Sequence, residues 1–126
     1  MPEINYQVGW FAILIGLAVG TILGLFFHRE DWQGGYASWR RRMIRLGHVS
    51  FFGTGFLNLA FVFSVEHLGL DVFPWVPSVA FVVGAVAMPT ICFLSAWRAP
   101  FRHLFFIPVI SLLLATAVLI FRGLTR

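Results

Sequence analysis

The sequence has no lysine: all nine of its cations are arginine. Charged residues make up only 11% of the chain, less than half the usual share of about 25%. That excludes an ordinary hydrated surface. Cys92 is the single cysteine, so an intrachain disulfide and a multi-cysteine metal centre are both excluded. Acids are few as well. Glu3, Glu30, Asp31, Glu66 and Asp71 all lie outside the long apolar runs, which argues against a proton-coupled carrier with a carboxylate at depth. No nucleophile–base spacing or zinc-protease motif is present, so hydrolase chemistry has no support and the expectation is a non-enzyme. Met1-Pro2-Glu3 lacks the positive start of a cleavable signal, and the apolar run after it is too long for one. The first apolar segment is therefore expected to be retained.

What the chain does have is apolar bulk. Over its 126 residues, 60% are hydrophobic and 17% aromatic, against about 45–50% apolar in soluble domains. A domain this small could not bury so much apolar surface in water. The apolar runs fall at about residues 6–27, 43–65, 76–97 and 104–121, each near the ~20 residues that cross a ~30 Å hydrocarbon core. Backbone groups in lipid must pair within their own segment, and no barrel-type alternation is present, so the segments are helices. The expected fold is an all-α integral membrane protein. It is a single domain over residues 1–126, a four-transmembrane-helix bundle with short loops.

Arginine placement sets the expected orientation. The first loop carries Arg29, Arg40, Arg41, Arg42 and Arg45, and the third carries Arg98 and Arg102. The second, from Glu66 to Pro74, has two acids and no cation. The positive-inside rule puts loops one and three in the cytoplasm and both termini outside, with Arg122 and Arg126 opposing. Trp10, Trp39, Trp75 and Trp97 fall near the expected interfaces, as an aromatic belt does. The arginines lie beside apolar runs rather than in a stripe, so they point to lipid headgroups and not to nucleic acid. The segment His28–Arg42 has two readings: an ordered turn in which Glu30 and Asp31 pair the arginines, or a solvated linker touching anionic lipid.

Helix one carries Ala12, Gly16, Gly20, Gly24 and His28 at spacing four. Small residues at that spacing allow close approach of another helix, so Gly16, Gly20 and Gly24 are helix-packing candidates. The second helix is either internal or in a protein partner or homo-oligomer joined through helix one. On helix two, Gly47, His48, Phe51, Thr54, Gly55, Asn58 and Val62 share one arc at about 100° per residue. Thr54 and Asn58 make this a polar face, and Asn58 near mid-span requires a hydrogen-bond partner, whether a neighbouring helix or a ligand. Helix three gathers Gly84, Met88, Cys92 and Ser95 on one face. Pro89 and Pro108 free the carbonyls of Ala85 and Leu104, a feature of cavity borders and of plain membrane helices alike.

His28, His48 and His103 are expected at one depth on three different helices. Imidazoles so placed can ligate a transition metal or a haem between facing helices. His48, the deepest, is the leading candidate ligand with His28 or His103, and haem b is the candidate cofactor; the identity of any metal stays open. The alternative is that all three are interfacial residues solvated by headgroups. The leading functional expectation is a small non-catalytic accessory subunit of a larger membrane complex, of the electron-transfer kind. A haem- or metal-binding electron carrier or oxidoreductase is the first alternative, and a small oligomeric transporter working through the Asn58 face is the second.

Overall fold

A computed structural model describes residues 3–69 and 74–125, and every regular element in them is helical. Met1, Pro2, Asp71 and Arg126, read above as sequence signals, lie outside the described residues. The long helices are α1 (Glu3–Gly24), α2 (Trp39–Leu68), α3 (Trp75–Trp97) and α4 (Phe106–Leu124). Taking α4 with the 3₁₀ segment Ala99–Phe105 that leads into it, four helices are long and apolar enough to cross a membrane.

The helices run alternately up and down. Asn5 near the start of α1 meets Asn58 in the second half of α2 and Ser78 at the start of α3. Farther along, Gly16 faces Phe51 and Phe52, and Gly20 faces His48. At the opposite end, Trp39 of α2 reaches Ser95 of α3. α2 lies between α1 and α3, and α4 packs against α3 from the other side. Phe61 and Val65 of α2, Ala80 and Phe81 of α3 and Ala115 of α4 form the buried core where these last three helices meet. Leu112 fills the space left by the missing side chain of Gly84, a knob in a hole between α3 and α4.

The helix boundaries differ from the hydropathy reading by up to four residues. α2 begins at Trp39 rather than 43, because the Ser38 hydroxyl caps it by accepting from the Arg41 amide at 3.1 Å. The capped turn Trp39-Arg40-Arg41-Arg42 is helical by hydrogen bonding although it is too polar to register as a span. α1 stops at Gly24 rather than 27, and the chain tightens through bonds from Leu25 to Ile22 and Phe26 to Leu23. α4 proper starts at Phe106, since residues 99–105 adopt the narrower 3₁₀ form.

The connector between α1 and α2 is ordered. A short 3₁₀ turn, Trp32–Gly34, ends on Gly34 and is capped by Gly35, at φ of 85° and 93°, values that glycine adopts without steric cost. Gln33 also takes a left-handed φ of 55°, and its carbonyl accepts from the Ser38 hydroxyl at 2.6 Å.

Candidate functional site

The side chains that sequence chemistry singles out fall into three groups, stacked along the bundle. At the end where α1 begins and α4 ends, Asn5, Asn58 and Ser78 form one hydrogen-bonded cluster. Asn5 Nδ2 donates to Asn58 Oδ1 at 2.9 Å and to the Ser78 carbonyl at 3.0 Å. The Ser78 hydroxyl donates to Asn5 Oδ1. Asn58 Nδ2 in turn donates to the carbonyls of Thr54 and Phe81 at 2.9 and 3.1 Å. All three residues are buried to 1% exposure or less, so solvent supplies none of their partners. The amides and the hydroxyl are satisfied by three helices, which the cluster ties at one level. Thr54 is also buried and bonds the Ser50 carbonyl of its own helix.

The second group is midway along the bundle. His48 Nε2 lies 3.1 Å from the Gly16 carbonyl oxygen. A carbonyl only accepts, so Nε2 carries the hydrogen and the ring donates. The ring also stands edge-on to Phe52, with centroids 5.4 Å apart. It occupies the space above Gly20, where a Cβ would come within 2.5 Å of Nε2. Above this contact, a Cβ on Gly9 would meet Leu59 at 2.7 Å and the Gly55 carbonyl at 3.0 Å. Gly9, Gly16 and Gly20 thus line the seam between α1 and α2. Gly24 has nothing within 4 Å of its Cβ position and takes no part in that seam.

The third group is the arginine-rich end. Arg41 is 3% exposed and holds the connector from inside. Its terminal nitrogens donate to the carbonyls of Phe27, Arg29 and Glu30 at 2.9, 3.1 and 3.4 Å. The rings of Phe27, Trp32 and Tyr36 surround the guanidinium at 5.0, 5.6 and 5.7 Å. Its Nε is buried without a hydrogen-bond partner, and these ring faces offset part of that cost by cation–π attraction. Arg41 therefore pairs with backbone carbonyls and not with Glu30 or Asp31, as the ordered-turn reading had it. The last turn of α3 is capped from α2: Trp39 Nε1 donates to the Ser95 carbonyl at 2.8 Å and Arg40 Nε to the Ala96 carbonyl at 3.2 Å. Donors at a helix C-terminus meet its unpaired carbonyls and the negative end of its dipole.

Of the three histidines proposed as ligands, only His48 is packed inside the bundle; His28 and His103 are exposed. A haem between His48 and either of them would need an imidazole nitrogen of His48 aimed at iron. The nitrogen at the tip of the ring is instead committed to the Gly16 carbonyl. So engaged, Nε2 is not available to iron. Among the described residues, no three His, Cys, Asp or Glu side chains gather as a metal site. Cys92 is fully buried, Met88 is half-buried, and the Ser95 hydroxyl is buried with no partner.

No family model, no curated protein and no solved structure matches this chain. Its site must be read from its own residues.

Several of the residues that build the site were not singled out from the sequence. Asn5 lies one residue ahead of the apolar window and Ser78 inside one, and neither spacing betrays that they meet. Arg41 looked like one surface cation among five. The available signal was Ser38, a capping residue that moves the start of α2 back and turns Arg41 toward the connector.

Proposed function

We propose that the chain is a multi-pass membrane protein with both termini on the non-cytoplasmic side, serving as a small non-catalytic accessory subunit of a larger complex. One observation carries this reading: the polar side chains at depth are used to hold the bundle together. Asn5, Asn58 and Ser78 bond one another and nearby backbone, and His48 bonds Gly16. A catalytic or transport site needs polar groups turned to a substrate. Here Thr54 and Asn58 of the α2 polar face are buried beneath α1 and α3. The same closure leaves the transporter alternative without a favouring contact, and no side-chain arrangement favours an electron-transfer complex over another kind.

The partner expected through helix one also needs a new surface. Gly9, Gly16 and Gly20 face α2, so they are not free to receive another chain. The broadest unfilled face belongs to α4, whose buried residues are Pro108 and Ala115, with Ile110, Leu113, Ile120 and Phe121 exposed. Lipid and a partner helix can share that face.

Affinity purification of the tagged chain in a mild detergent, at native expression level, tests the reading. A stoichiometric integral partner is expected, and Leu113→Ala with Ile120→Ala should weaken its recovery. A chain that purifies alone and monomeric overturns the accessory role.

A further inference from the structure

α1 and α3 are tied by Asn5 and Ser78 at their N-terminal ends. Beyond that tie a cleft of about 390 Å³ lies between them, with Phe51 of α2 among its lining residues. Phe11 and Ile15 of α1 and Val86 of α3 line it and are exposed. The lining is apolar apart from Gln7 and Thr90, and the Thr90 hydroxyl is spent on the Val86 carbonyl at 2.6 Å. Phe93 lines this cleft and also a second hollow of about 320 Å³ at the arginine-rich end. The second hollow is bordered by Arg40, Gln33, Ile44 and Trp97. The apolar cleft and the hollow bordered by Arg40 thus share one aromatic ring.

The chemistry of that hollow is one-sided. Arg40 uses Nε on the Ala96 carbonyl and one terminal nitrogen on Gln33 Oε1 at 3.5 Å. Its other terminal nitrogen has no protein partner among the described residues. The Arg98 guanidinium stands 4.7 Å from the centroid of the Trp97 ring, and Trp97 itself borders that hollow. No acid is among the residues lining either space.

We infer that the joined clefts seat one anionic glycerophospholipid, with its phosphate at Arg40 and Arg98 and one acyl chain laid past Phe93 between α1 and α3. Length agrees with that occupant. From residue 85 to residue 97, α3 lines the two spaces over ~18 Å at ~1.5 Å per residue, about one leaflet of a ~30 Å hydrocarbon core. A partner helix is a poorer match: an 18 Å length of helix about 10 Å wide fills ~1,400 Å³, about twice the two spaces together, and it would have to bring a counter-charge to the Arg40 end. A zwitterionic lipid fills the cleft equally well but gains less at the arginines, where guanidinium groups bind phosphate in paired hydrogen bonds.

The inference rests on the membrane reading but not on the accessory role, and the tests keep the two apart. Resistance to extraction from membranes by alkaline carbonate is expected; release overturns the membrane reading and this site with it. The delipidated full-length chain is then titrated with phosphatidylglycerol or phosphatidylcholine of identical acyl chains and followed by native mass spectrometry. One phosphatidylglycerol per chain is expected, retained about tenfold better than phosphatidylcholine, with Arg40→Gln with Arg98→Gln removing that preference. Val86→Trp, on the open side of the cleft, should reduce retention of both lipids. Burial of the Cys92 thiol from maleimide reports that each variant remains folded. Equal retention of the two lipids, or a preference that survives loss of both arginines in the folded protein, overturns the site. A photo-crosslinker in place of Ile15 should yield a lipid adduct in native membranes, and a protein adduct there also overturns it.

Discussion

His48 and Gly20 occupy complementary positions: the imidazole of α2 fills the volume that a side chain at residue 20 of α1 would take, with Nε2 only 2.5 Å from the site of a Cβ. The same nitrogen donates to the Gly16 carbonyl one turn away. Glycine at 20 is therefore the condition for the histidine's hydrogen bond, and the histidine in turn fills the groove that the glycine opens.

Gly20→Ala should displace the ring and cost about 1–3 kcal/mol, the range for an overpacked contact. Gly24→Ala, at a position with open space, should change stability by less than about 1 kcal/mol. Thermal unfolding in detergent, followed by maleimide capture of the buried Cys92, measures both. A double-mutant cycle with His48→Ala should show coupling, because removing the ring removes the clash. Equal effects at residues 20 and 24 would contradict the seam.

Asn58→Ala removes two bonds to backbone carbonyls and the acceptor of one bond from Asn5. The expected loss is about 1–3 kcal/mol, since Asn5 then has one fewer buried partner. Thr116→Ala, which deletes an exposed hydroxyl bonded within its own helix, should stay within about 0.5 kcal/mol. The same unfolding assay compares the two. Similar values for both would show that the interhelical cluster adds no more than a local bond.

Arg41→Met should loosen the connector between α1 and α2 without separating the helices. Losing hydrogen bonds from a charged donor costs about 1.5–3 kcal/mol, which raises the open population of the connector about ten- to a hundredfold. Limited proteolysis within residues 25–38 reads this directly when opening is faster than cleavage. Arg41→Lys should fall between, because a single ammonium cannot span three carbonyls as the guanidinium fork does. Cleavage at the wild-type rate in the Met variant would contradict the clamp.

Reporter fusions in the first connector and at the C-terminus should lie on opposite sides of the membrane, with the connector cytoplasmic. Reporters on the same side would remove a span and with it the proposed placement of the termini.

The four apolar helices were legible in the sequence because each needs only about twenty residues of sustained hydropathy, a property of composition over a window. Their ends were less so. Ser38 begins α2 through one side-chain bond to the Arg41 amide, and hydropathy is blind to such a bond. The polar arc of α2 around Asn58 followed from helical periodicity alone. Its partners on the other helices did not, since Asn5 and the Phe81 carbonyl lie 53 and 23 positions away along the chain and meet Asn58 only after three helices have packed.

Composition and periodicity by themselves determined the number of helices, the small-residue spacing of α1 and the clustering of arginine in the first and third connectors. These depend on neighbours within a few turns of the same helix. Rotation of each helix about its own axis was decided only by tertiary packing. That rotation turned Gly16 and Gly20 toward His48 and left Gly24 in open space. It set Arg41 beneath the connector while Arg40 faces the end of α3. Side chains at one depth can meet or miss according to an angle that no single helix encodes, because the angle minimises voids and unpaired polar groups across all four helices at once.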